Sequence, residues 1–165
     1  MADRNWDMIR SGETFEGLVS TLVFFEDHRA VLFGRRGKDG GQDVLSADGK
    51  TVYQAKYHQD QSASKAISDA KLELEKIAEY KKQEHPRYDQ WKNVENWKLV
   101  TNAKFNPNDN ERWIKEVAPE FKKKLELSAT YWGQAKLDAL LDKHPEVDRS
   151  YFQNETRVLL TLPEA

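Results

Sequence analysis

The dipeptide Asp48-Gly49, set between QDVLSA (42–47) and KTVYQAK (50–56), constrains this chain more than any other feature. Asp-Gly suits a two-residue type I′ hairpin loop, and the flanking runs read as strands. With Asp48 and Gly49 as the loop, Ala47 faces Lys50 and every facing pair sums to 97 in residue number. Asp43 then lies across from Gln54, with Cα atoms roughly 4.5–5.5 Å apart and side chains on one face. Lys56 projects from that face too, as does His58 if the strand continues. Val44, Tyr53 and Ala55 fall on the opposite, core-facing side. A register slip of one residue would scatter the group.

Around this hairpin the pattern alternates. Phe15, Leu18, Val19 and Leu22 have helical spacing, with Ser11 or Thr14 as the cap. AVLFG (30–34) reads as a short buried strand ending at Gly34. From Ser64 to about Gln83, Ile67, Ala70, Leu74, Ile77 and Ala78 make one apolar stripe, with Lys and Glu on the other face. HPRYDQWKNVEN (85–96) reads as a loop with aromatic anchors, and WKLVT (97–101) as a strand. NPNDN (106–110) is a turn and cap before a helix on Trp113, Ile114 and Val117, which Pro119 should kink or restart. LELSATYW (125–132) is a strand, Gly133 to Lys143 a helix with Leu137, Leu140 and Leu141 inward, and Pro145 a stop. A small element around Tyr151-Phe152 and a β-like run, RVLLTL, follow. Strands clustered early and then alternating with helices predict an α/β domain, a mixed sheet flanked by helices. The 165 residues suit a single domain, 1–165.

Composition removes several classes. There is no cysteine, hence no disulfide framework and no thiolate zinc site; a reducing, cytoplasmic location fits. No apolar run approaches the roughly 20 residues of a membrane helix, so no membrane partner is expected. Net charge is −2, yet residues 29–58 hold six cations (Arg29, Arg35, Arg36, Lys38, Lys50, Lys56) against three aspartates, a local +3. Such an excess fits phosphate contact, or simply a solvated loop. The glycines do not make a P-loop, because Gly37-Lys38 is followed by Asp39. The four histidines lack metal-binding spacing. Most of the tryptophans read as packing anchors, with Trp91 and Trp97 considered for stacking on bases.

An aspartate, an amide and an ammonium on one patch have a chemistry. Asp43 offers a charged hard oxygen and Gln54 a neutral one; Mg²⁺ favours such oxygens and takes only one or two carboxylates. Lys56 can stabilise developing negative charge or help activate a water. The plainer reading of the same residues is a surface ion pair of small worth.

GGQD followed by YQAK resembles the Mrr branch of the PD-(D/E)xK nucleases, the restriction-endonuclease-like fold, in its D…QxK form: Asp43, then Gln54-Ala55-Lys56. SGETFEGLVSTLV (11–23) resembles that branch's first helix, whose glutamate carries over to Glu16, with Glu13 one turn earlier as the weaker candidate. The resemblance covers residues 11–58 most firmly. It implies Mg²⁺ or Mn²⁺ held by Asp43 with Glu16 helping, Gln54 orienting water or metal, and the Ala55 carbonyl as a further ligand. Lys56 would meet the scissile phosphate, and Arg35, Arg36, Lys38 and His58 would contact DNA. The implied activity is metal-dependent endonucleolytic hydrolysis of double-stranded DNA. Breaking both strands calls for a homo-oligomer. The stretch WKLVTNAKFN and the later LDALLDKHPEVDRSYF are similar to the region closing the nuclease domain of large prokaryotic antiphage proteins. That implies an effector domain of a longer chain assembled by a STAND-type sensor or NTPase portion. The alternative is a catalytically inactive module of the same fold, for DNA binding or oligomerisation.

Overall fold

The computed structural model describes residues 4–33 and 43–152. Arg35, Arg36, Lys38 and the run RVLLTL (157–162) lie outside the described residues. The described chain is α/β, as expected. A five-stranded mixed sheet in the order β1-β2-β3-β4-β5 is flanked by helices, consistent with a restriction-endonuclease-like fold. The strands are β1 (Val31–Leu32), β2 (Val44–Leu45), β3 (Thr51–Lys56), β4 (Asn96–Thr101) and β5 (Ser128–Trp132). β1, β2 and β3 are antiparallel to one another in turn, and β3, β4 and β5 run parallel. Helices supply the parallel crossovers, as such connections require.

The hairpin keeps its expected register with a different turn. Val44 pairs with Tyr53 and Leu45 with Val52, so facing pairs sum to 97. The loop, however, has four residues. Ser46 N–H donates to the Thr51 carbonyl at 2.9 Å, and Gly49 N–H donates to the Ser46 carbonyl at 2.9 Å. Of these loop residues, Gly49 alone has a positive φ, 74°. A type I′ turn would need one at Asp48 as well. Asp48 instead uses its carboxylate, accepting from the Ser46 hydroxyl at 2.6 Å and the Lys50 N–H at 3.0 Å. Two-residue and four-residue loops share the same midpoint, which is why the register survives.

Helix α1 (Gly12–Glu26) is capped by Ser11, whose hydroxyl accepts from Thr14 N–H at 3.1 Å. Its Phe15, Leu18, Val19, Leu22 and Val23 bury against Val44, Ala55 and Val100 on one face of the sheet. The opposite face carries α2 (Ala63–Tyr80), the short α3 (Tyr88–Trp91), α4 (Pro107–Arg112) and α5 (Ala118–Leu125). Asn106 closes α4 with a full capping box. A π-helical turn over Trp113–Val117 joins α4 to α5, and Pro119 sits in the first turn of α5, where its missing N–H costs nothing. The helices α6 (Gln134–Lys143) and α7 (Pro145–Phe152) complete the α1 side. Pro145 thus begins a helix as well as ending one.

Two expectations change. Within AVLFG, β1 (Val31–Leu32) is an outer strand of the described sheet, not a buried one: the two residues are 46% and 45% exposed. Trp91 and Trp97 are fully buried, so neither offers a ring to a base. Among the described residues, no helix is long and apolar enough to cross a membrane.

Candidate active site

β2 and β3 separate just beyond their last pair, and Asp43 stands at that fork. Its N–H donates to the Tyr53 carbonyl at 3.2 Å, and its own carbonyl accepts from Phe33 N–H at 3.0 Å. The carboxylate Oδ2 accepts the Ala55 N–H at 2.6 Å. The aspartate side chain is thereby fixed against the QxK segment. The expected proximity of Asp43 to that segment is present, but it runs through the backbone of Ala55.

Lys56, the next residue, turns toward α2. Its Nζ lies 3.0 Å from Glu73 Oε1, and Lys76 Nζ lies 3.5 Å from the same oxygen. Glu73 is only 3% exposed. Burial pushes its carboxyl up, but the charge of Lys56, hydrogen bonds from Gln54 and Lys56, and the charge of Lys76 outweigh it. The group stays below the ordinary carboxylate range. A carboxylate so deep is tolerated only because its charge is paired and its oxygens are bonded. Glu73 lies on the line 66, 70, 73, 77 that faces the sheet. The spacing was legible, and the residue type hid it.

Gln54 is buried as well. Its Oε1 accepts the Trp97 indole N–H at 2.9 Å, and its amide donates to Glu73. The amide orientation follows from the indole, which can only donate. Gln54 therefore links the apolar core to Glu73 and spends its oxygen inside the protein, not on a solvent-facing ligand position as expected. The chain of contacts runs Trp97, Gln54, Glu73, Lys56.

Glu16 follows Phe15 on α1, and the Phe15 ring is 6.2 Å from that of Tyr57, the residue after Lys56. Tyr57 in turn donates its hydroxyl to the Ile9 carbonyl at 2.9 Å. The first turns of α1 are thereby held at the carboxyl end of β3. Glu16 is half-buried and Glu13 exposed. His58 is 9% exposed and clamped through its backbone by Asn102, which accepts its N–H and donates to its carbonyl, both at 2.8 Å. Its Nε2 is 3.1 Å from Asp69 Oδ2, within ion-pair range, though the angle does not make a hydrogen bond. Burial lowers the pKa of the ring, opposed by Asp69 and Asp60 and reinforced by Lys65 and Lys56. So enclosed a ring belongs to the wall of the site and leaves little surface for a phosphate.

The donor set suits a hard cation sparingly. Asp43, Glu16 and the Ala55 carbonyl are oxygen donors of the kind Mg²⁺ takes, with water filling the rest. Among the described residues, no three His, Cys, Asp or Glu side chains gather into a metal cluster. Neither the protein-family models nor the curated proteins compared with this chain match it.

Proposed function

We propose that this chain is a metal-dependent endonuclease hydrolysing phosphodiester bonds of double-stranded DNA, acting as the effector domain of a prokaryotic antiphage defence protein. The observation that carries the reading is the Asp43 carboxylate on the Ala55 N–H at 2.6 Å, beside a lysine whose ammonium is fixed by a buried glutamate. Asp43 and Glu16, with the Ala55 carbonyl, would hold Mg²⁺ or Mn²⁺. A bound Mg²⁺ supplies Lewis acidity and an activated water. Lys56 stabilises the charge that develops on the phosphate as the P–O bond breaks. Glu73 holds that ammonium in place, and Gln54 holds Glu73.

The test is digestion of supercoiled plasmid with Mg²⁺ or Mn²⁺. Wild type nicks or linearises it. Asp43→Ala and Lys56→Ala lower the rate by about 10²–10³-fold, the scale of losing one preorganised electrostatic contact, while remaining folded. Intact plasmid with both metals would contradict the reading.

A second reading, an inactive module of the same fold for DNA binding or oligomerisation, is favoured by one observation. The Gln54 amide is spent on Trp97 and Glu73, and no three-carboxylate cluster stands near it among the described residues. It predicts salt-sensitive DNA binding without cleavage.

A further inference from the structure

Among the described residues, the face of the sheet that carries α1 is left partly open beyond that helix. α1 packs over Ala55 and Val100, while Tyr53, Lys98, Thr130 and Trp132 lie on the same face by register. Tyr53, Lys98 and Trp132 are half-buried and Thr130 is exposed. The Tyr53 and Trp132 rings are 5.3 Å apart between centroids. Lys98 Nζ stands 5.3 Å from the Trp132 centroid, and Lys136 Nζ, from α6, 5.8 Å from the same centroid.

Two ammonium groups on one indole are costly unless something anionic joins them. Lys98 donates to the Thr130 hydroxyl at 3.0 Å. Among the described residues, neither Lys98 nor Lys136 makes an ion pair. Burial, and then the charge of Lys136, pull Lys98 below the ordinary amine range. The Tyr53 end is different: burial first, then the charges of Asp27, Asp48 and Glu26, raise its hydroxyl. The patch is polar in a definite sense, cationic at the Lys98–Lys136 end and anionic beyond Tyr53.

We propose that this platform binds a nucleoside phosphate, its base against Trp132 and its phosphate on Lys98 and Lys136. The base takes the place of the ammonium groups over the ring, and the long lysine stems carry those groups to the phosphate. Bases stack on exposed aromatic rings whatever their identity, and lysines beside them track the backbone. A base inside a duplex has no free face, so the ligand is an unpaired strand or a free nucleotide. The platform lies on the opposite face of the sheet from Gln54 and Lys56, and the inference does not depend on cleavage.

Tryptophan fluorescence tests it directly. Trp6, Trp91, Trp97 and Trp113 are at most 3% exposed, which leaves Trp132 as the accessible indole. A twelve-residue oligothymidylate should quench the emission of the wild-type protein, with an affinity that falls as salt rises. Thymidine monophosphate supplies the free-nucleotide arm: quenching by the oligomer at far lower nucleotide concentration assigns the site to strands, and equal potency assigns it to mononucleotides. Lys98→Gln with Lys136→Gln should weaken binding about tenfold or more, the loss of two phosphate contacts. The exposed single variant Lys136→Gln should show part of that loss. Lys115→Gln, an exposed lysine on the α2 side, should bind as wild type does. No quenching by either ligand, unchanged binding in the double variant, or equal competition by inorganic polyphosphate would each overturn the proposal.

Discussion

The two faces of the sheet are built on opposite principles. On the α2 side, Trp97 lies nearly parallel to Trp113 at 6.2 Å and to Phe121 at 4.6 Å, and all three are buried. Into that apolar layer is set one polar line, Gln54, Glu73 and Lys56. On the α1 side, among the described residues, apolar packing stops short, and beyond it Tyr53, Lys98 and Trp132 are half-open. The first face encloses its charges and fixes them. The second leaves Lys98 and Lys136 at its open end without an ion pair among the described residues. Rigid placement suits a group that must act on one phosphate; exposure suits a surface that meets ligand by stacking.

Substitutions can break that contrast, and the largest effect falls on Trp97. Trp97→Ala should destabilise the fold by about 3–5 kcal/mol in denaturant unfolding. Trp132→Ala, on the open side, should cost much less. Equal losses would mean the α1 side is as well packed as the α2 side.

Glu73→Leu should come next, at about 1–3 kcal/mol. It strands the Lys56 ammonium and the Gln54 amide, though Lys56, 31% exposed, recovers part of its hydration. Adding Lys56→Met should restore much of the stability, because removing both partners of an enclosed pair costs less than removing one. A double variant no more stable than Glu73→Leu alone would show that the pair is not the source of the loss.

Gly49→Ala should cost about 1 kcal/mol. A Cβ there meets nothing within 4 Å, so the penalty comes only from φ of 74°. Gly49→Asn, which tolerates that region better, should cost less. The same melts read whether the hairpin register that sorts residues between the two faces has held.

The smallest effect is a pH dependence. The folded-state pKa of His58 is below its ordinary 6.5. The unfolded chain therefore binds more protons, and stability falls as pH drops below about 6.5 toward the folded pKa. Melting temperatures measured from pH 7 to pH 5 should fall less steeply in His58→Gln than in wild type. Identical slopes would place the titrating group elsewhere.

Much of this arrangement was legible before the structure. The Asp48-Gly49 midpoint set the register, because any even-numbered loop centred there yields the same pairs. Ser11 and Asn106 stood where helix caps are recognised from sequence. Lys98, inside the otherwise apolar WKLV, was a legible sign that one face of β4 is not fully covered, since strands buried on both faces read as continuous apolar runs. Other features were hidden for physical reasons. Glu73 occupies a core-facing helical position, but a carboxylate there is intelligible only once Lys56 and Gln54 are known to meet it. Val31 and Leu32 have strand propensity, which does not distinguish an interior strand from an outer one. Gln54 lay in the expected register, and its partner Trp97, 43 residues away, could not be read from the motif.

The central claim is that Asp43, at the fork of β2 and β3, holds a divalent cation beside Lys56. Titration calorimetry with Mn²⁺ in the absence of nucleic acid measures this most directly. The account predicts a saturable site in the wild-type protein that is lost in Asp43→Asn and kept in Lys136→Gln. No binding in wild type, or the same isotherm in Asp43→Asn, would contradict it.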